Sequence, residues 1–167
     1  MLIRTEAPAD ILTIDRLVRE TFETEAEARL VMSLRENSHL TLSLVACTDE
    51  GEVVGHCLFS PVTLNGEDLH WQGLAPLCVK KEFEKQGIAQ SLVTEGLETL
   101  AELGYPVSVV LGDPAYYHRF GFEPANKYGM KCKWEETESA FMIKACASEF
   151  LEGKHGLIEY CFEFDSL

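Results

Sequence analysis

Apolar and polar positions divide the chain into stretches of two different periods. "IRTEAPADILTIDRLVRETF" opens with a short alternation. Past Pro8 and Asp10 it carries Ile11, Ile14, Leu17, Val18 and Phe22 at helical spacing, which predicts a strand followed by a helix. A second helix is expected in "TEAEARLVMSLRE", where Thr24 and Glu27 form an ordinary capping box and Leu30, Val31 and Leu34 make the apolar stripe. From about residue 40 the period shortens to that of a strand. "LTLSLVACT", "EVVGHCLFSPVTL" and "DLHWQGLAPLCV" read as an antiparallel meander, divided by "DEG" and by "NGED". Asn65-Gly66 is a strong hairpin signal, because both central residues of a type I′ turn need positive φ. Pro76 inside the third run removes a ladder donor, so pairing should bulge or break there.

Helical spacing returns over about 86–103, with Ile88, Ala89, Leu92, Val93, Leu97, Leu100 and Leu103 on one face and Gly104 and Pro106 as the stop. "VSVVL" then reads as a buried strand, and strand, helix, strand in succession implies a right-handed crossover with the two strands parallel. "GDPAYYHRFGF" places Asp113 as N-cap and Pro114 at the first position of a short helix that Gly121 ends. "MKCKWEE" and "SAFMIKACA" are expected to form a final antiparallel pair, and "GLIEYCFEF" to add a last strand. No repeat, linker or low-complexity stretch interrupts the chain. The expectation is one mixed α/β (α+β) domain over 1–167, with a core of about 1–148 and a C-terminal extension of about 149–167. Its sheet should be mostly antiparallel with one parallel pair, flanked by helices.

Composition narrows the function. A chain of 167 residues with 46% hydrophobic content fills a single core. A net charge of -14 and a pI near 4.7 argue against nucleic-acid partners and suit a neutral or cationic substrate. "MLIRTEAPAD" does not resemble a signal peptide and no apolar run is long enough to cross a bilayer, so a cytoplasmic protein without membrane partners is expected. The six cysteines lie far apart, mostly in apolar runs and without a C-x-x-C pair, and read as reduced core residues; no metal is expected. Walker, G-x-G-x-x-G, H-E-x-x-H and G-x-S-x-G patterns are absent.

The candidate chemistry starts at "FEKQGIAQSL", which puts Gly87 and Ala89 in the first turn of the long helix. Small side chains there leave helix-terminal amides open, and open amides on the positive end of a helix dipole attract anions. "LAPLCVKKEFEKQGIAQSLV" and "LGDPAYYHRFGF", taken with the order of elements, resemble the GCN5-related N-acetyltransferase (GNAT) superfamily and, within it, its bacterial YhbS-like branch.

The resemblance implies the acyl-CoA N-acyltransferase fold, with acetyl-CoA as co-substrate. It also implies acetyl transfer to a primary amine by direct attack through a tetrahedral intermediate. The coenzyme pyrophosphate would rest on the loop of Lys85, Gln86, Gly87, Ile88, Ala89 and Gln90. The pantetheine arm would lie along Leu77, Cys78 and Val79, where a backbone amide holds the developing oxyanion. Tyr117, four residues before Gly121, would protonate the departing sulfur, with Tyr116 read as packing.

Glu84 stands where the family pattern has Arg or Gln, and Lys80, Lys81 and Lys85 are available to offset it. Glu67, Asp68, His70 and His118 stay open as candidate bases, whereas His56, Trp71 and Phe59 read better as core residues. The acceptor is expected to be a small-molecule or peptide amine, the assembly a monomer or homodimer. The alternative reading is a non-catalytic acyl-CoA-binding or sensing module.

Overall fold

The computed structural model describes residues 1–134 and 140–167. Strand β1 (Leu2–Thr5) leads into helix α1 (Ile11–Thr21), and α2 (Ala26–Glu36) follows. Thr24 precedes that helix, with its hydroxyl accepting from the Ala26 amide at 3.3 Å and donating to Glu27 at 3.2 Å. The meander is β2 (Leu42–Cys47), β3 (Val53–Leu64) and β4 (Glu67–Val79), each antiparallel to the next. Its β3–β4 turn has Asn65 at φ 51° and Gly66 at φ 81°, the positive pair that the hairpin signal required.

Helix α3 (Ile88–Glu102) then carries the chain across to β5 (Val107–Leu111), which pairs with β4 in parallel. A short helix α4 (Pro114–Tyr117) is capped by Asp113, whose Oδ1 accepts from the Ala115 amide at 3.0 Å, and Gly121 at φ 92° closes the turn after it.

The remaining strands are β6 (Glu123–Pro124), β7 (Met130–Lys131), β8 (Phe141–Ala145) and β9 (Gly156–Tyr160). The main sheet runs β1-β2-β3-β4-β5-β8-β6, and β9 joins β3. The expected final antiparallel pair is corrected here. Met130 and Lys131 pair in parallel with β9, while β8 lies antiparallel to β5 and to β6. Glu135, Glu136 and Ser139 of the two expected strands fall outside the described residues. Strand β9 is the expected last strand, and it returns the C-terminal segment to the middle of the fold, antiparallel to Val62–Leu64.

Three apolar clusters hold the layers. Ile14, Leu17, Val18, Leu30, Val31 and Leu34 of α1 and α2 cover one face through Val45, Leu58 and Cys78. Ile88, Leu92, Val93 and Leu100 of α3 cover the other through Leu44, Phe59 and Leu74. The third cluster lies under β9 and is built on Val62, Trp71, Val109, Phe141, Ile143 and Ile158. Burying each such side chain is worth about 1.5–3 kcal/mol before conformational entropy is set against it. Trp71 and Phe59 are thus core residues, and a Cβ on Gly96 would meet the Phe59 ring at 2.5 Å, so α3 sits directly on that ring. All six cysteines are free, and among the described residues no helix is long and apolar enough to cross a membrane.

Candidate active site

The site begins with a break between neighbours. Strand β4 pairs with β5 over Gln72↔Ser108, Gly73↔Val109 and Leu74↔Val110, and among the described residues no strand pairs with that edge from Ala75 to Val79. At the same level the β3–β4 register shifts between Cys57↔Leu77 and Phe59↔Leu74, so Leu58 faces both Ala75 and Pro76. Proline has no amide hydrogen to give a ladder, and the bulge expected from Pro76 is found there. The two parallel strands therefore part beyond Leu74, leaving an extended edge with free backbone groups.

The second part is the start of α3. Gly87 is its N-cap at φ 82°, ψ 9°, without a side-chain cap, and the amides of Gly87, Ile88, Ala89 and Gln90 donate to no acceptor among the described residues. A Cβ on Gly87 would meet nothing within 4 Å, so the space beside these amides is open. A groove of about 500 Å³ joins the two parts, lined by Leu77, Cys78, Val79, Lys85, Gly87, Ile88, Ala89 and Gln90 together with Phe83, Glu84, Tyr116 and Arg119. Of the residues the sequence assigned to the coenzyme, Gln86 alone does not line it. An unpaired strand edge for an amide-bearing arm and uncapped amides for a diphosphate match the chemistry of acetyl-CoA at its two ends.

Charge along the groove differs from the sequence expectation. Glu84 lines it, but Lys80 turns away to Glu52 at 2.7 Å and Glu82 at 3.9 Å. Lys81 is exposed outside it. Lys85 lines the groove, and Arg119 joins it, with its guanidinium 4.5 Å above the Tyr116 ring and its Nε donating to the Tyr116 carbonyl at 3.0 Å. Sequence reasoning missed Arg119, although its place two residues after Tyr117 in "YYHRFGF" carried the signal.

Tyr117 is 8% exposed and does not line the groove, whereas Tyr116 does. The Tyr117 ring lies on Gly112, where a Cβ would meet its Cε2 at 2.3 Å, and against Phe122 at 5.7 Å between centroids. Burial pushes its hydroxyl well above the usual phenol range, with Cys57 and Tyr116 adding to the rise. Tyr160, on β9, was not singled out by the sequence. Its ring packs on Gly73 just before the strands part, and its buried hydroxyl has no hydrogen-bond partner among the described residues. Burial raises that hydroxyl too, and Cys132 and Tyr117 contribute.

The candidate bases scatter. Glu67, Asp68 and His70 are near the beginning of β4. His70 and Leu77 are separated by seven residues of strand, about 20 Å. Asp68 Oδ1 accepts from the His70 amide at 2.8 Å, and the His70 ring meets Tyr105 edge-on. His118 is exposed in the turn after α4. His56 is a core histidine, 2.8 Å from the Ser43 hydroxyl.

A strand that parts from its parallel neighbour beside an uncapped, glycine-led helix defines an acyl-CoA N-acyltransferase. Comparison with known proteins agrees. A family model described as an acetyltransferase (GNAT) domain matches residues 3–125, and the chain belongs to that family. It is 52% identical to the N-acetyltransferase YhbS of Escherichia coli (strain K12) over 165 residues, 99% of each chain. The crystal structure of E. coli YhbS in complex with CoA superimposes with a TM-score of 0.95, covering 98% of this chain and 91% of that one. A GNAT-family acetyltransferase from Brucella melitensis in complex with acetyl-CoA is 33% identical, with a TM-score of 0.83 and coverage of 98% and 97%.

Proposed function

We propose that this GNAT N-acetyltransferase moves the acetyl group of acetyl-CoA directly to a primary amine through a tetrahedral intermediate, in the cytoplasm. The groove joining the free edge of β4 to the uncapped start of α3 carries this reading. Amides of Gly87 to Gln90 hold the pyrophosphate, and Lys85 and Arg119 offset its charge against Glu84. Backbone groups of Leu77, Cys78 and Val79 receive the pantetheine arm, and an amide of that stretch steadies the oxyanion as it forms.

Tyr117 returns a proton to the coenzyme sulfur. A phenol is protonated at neutral pH, the state a general acid needs, and burial, which raises the Tyr117 pKa, keeps the proton on it until the thiolate forms beside it. Tyr160 offers a hydroxyl without a hydrogen-bond partner among the described residues near the point where the strands part, and the acidic composition favours a cationic acceptor.

A second reading gives the proton donation to Tyr116, because that ring lines the groove and Tyr117 does not. Free-thiol release from acetyl-CoA across polyamines, amino acids, aminoacyl compounds and peptides finds the acceptor. With that acceptor, Tyr117→Phe should lower kcat by about 10² to 10⁴ while acetyl-CoA affinity by calorimetry is unchanged. A full-rate Tyr117→Phe beside a crippled Tyr116→Phe moves the role to Tyr116; two full-rate variants remove both.

A further inference from the structure

Away from the groove, the fold gathers three metal-ligating side chains that lie far apart in the sequence. His39 comes from the segment between α2 and β2, Cys161 follows β9, and Glu163 belongs to the C-terminal turn Phe162–Ser166. His39 Nδ1, Cys161 Sγ and a carboxylate oxygen of Glu163 all lie within 4.8 Å of one another.

The Glu163 side chain is 1% exposed. Its Oε2 accepts from Asn37 Nδ2 at 2.8 Å and lies 2.7 Å from His39 Nδ1, yet its Oε1 is buried without any hydrogen-bond partner among the described residues. A buried carboxylate oxygen with no partner is costly, and a native fold normally supplies it with a donor or a cation. Cys161 Sγ donates to the Pro61 carbonyl at 3.3 Å.

The geometry points to a site for a thiophilic divalent cation of the zinc class, held by His39 Nδ1, Cys161 Sγ and the Glu163 carboxylate. Sulfur and imidazole ligands select against magnesium and calcium, which prefer all-oxygen shells. Bonds of about 2.0–2.3 Å place tetrahedral donor atoms roughly 3.3–3.7 Å apart, so donor atoms that lie within 4.8 Å of one another need to adjust by at most about 1.5 Å. The His39 side chain, 39% exposed, has room to make that adjustment.

Outer partners are in place as well: Asn37 fixes the carboxylate, and the Phe162 ring meets the imidazole edge-on at 5.8 Å. On binding, His39 Nδ1 gives up the proton it holds toward Glu163 Oε2, leaving Nε2 as the ring N–H, and the Cys161 thiol releases its proton to solvent as the sulfur–metal bond forms; thiolate plus carboxylate balance the dication. Water takes the fourth position on the exposed side of His39. The bound ion then ties the C-terminal turn to the start of β2, on the side of the sheet away from α3. Such a site departs from the sequence expectation of no metal, which rested on cysteines that lie far apart, mostly in apolar runs and without a C-x-x-C pair.

The test uses the full chain, freed of metal by a chelator, titrated with zinc in calorimetry and with cobalt by absorption. One equivalent should bind, cobalt should show a thiolate charge-transfer band, and zinc should raise Tm. Cys161→Ser and His39→Gln should each weaken zinc binding at least about tenfold and abolish the rise in Tm. Cys146→Ser, at the exposed cysteine, should bind as the parent does. If Glu163→Gln fails to fold, the half-exposed His39→Gln still decides. Stoichiometric binding absent from the parent, equal binding by Cys161→Ser, or loss of binding in Cys146→Ser would each overturn the assignment.

Discussion

Acid should weaken this fold through one buried imidazole, and the size of the effect follows from the geometry. His56 is 0% exposed, with Nε2 2.8 Å from Ser43 Oγ. The Ser43 hydroxyl donates to Glu6 Oε1 at 2.5 Å, so its oxygen accepts from His56 Nε2–H, and Nδ1 is the unprotonated nitrogen. That Nδ1 is buried and has no partner among the described residues. Protonation would place a charged N–H where nothing accepts it. Burial accordingly lowers the His56 pKa from 6.5 to about 4, with Glu6 pulling it back up and Arg35 pushing it further down.

Below pH 6.5 the unfolded chain binds a proton at this position and the native chain does not, so stability falls with pH until the native pKa near 4 is passed. The full loss is about 3 kcal/mol, of which about 2 kcal/mol falls between about pH 7 and about pH 5. Glu6 and Asp10 act in a lower window. Burial alone would raise Glu6, but Arg35 and Ser43 hold it below its usual value, and the Arg4 bond holds Asp10 below its own. Urea unfolding of the parent and of His56→Gln at the two pH values measures the difference. A parent whose stability is unchanged over that interval, or a His56→Gln that loses as much, refutes the reasoning.

Gly87→Glu should abolish acetyl-CoA binding in calorimetry yet leave a folded chain by circular dichroism. Its Cβ meets no atom and the positive φ costs only about 1–2 kcal/mol; parental affinity would place the diphosphate elsewhere. Gly112→Ala brings a methyl within 2.3 Å of the Tyr117 ring and should lower kcat at least about tenfold with acetyl-CoA affinity kept. A parental rate would show that the position of that ring does not matter.

What the sequence made legible was local, and what it hid was long-range. The Asn65-Gly66 turn, the Asp113-Pro114 cap, the bulge at Pro76 and the glycine at the head of α3 each depend on residues within a few positions of one another. Partner choice is different, because any short apolar run satisfies the same alternation. Nothing in "MKCKWEE" says that Met130 and Lys131 will find β9 rather than β8, or that β8 will lie between β5 and β6.

The site divides along the same line. One half of the split in the sheet is written in Pro76, but the split itself also needs β5 to diverge after Val110, and that depends on how β8 holds β5 from its other side. Glu67, Asp68 and His70 read as neighbours of the chemistry because they share a strand with Leu77, and the length of that strand is what removes them. The opposite error hid Tyr160, which is remote from Tyr117 in sequence but is carried to Gly73 by the pairing of β9 with β3. The His39, Cys161 and Glu163 cluster depends on the C-terminal turn packing against α2, a contact that no spacing along the chain encodes.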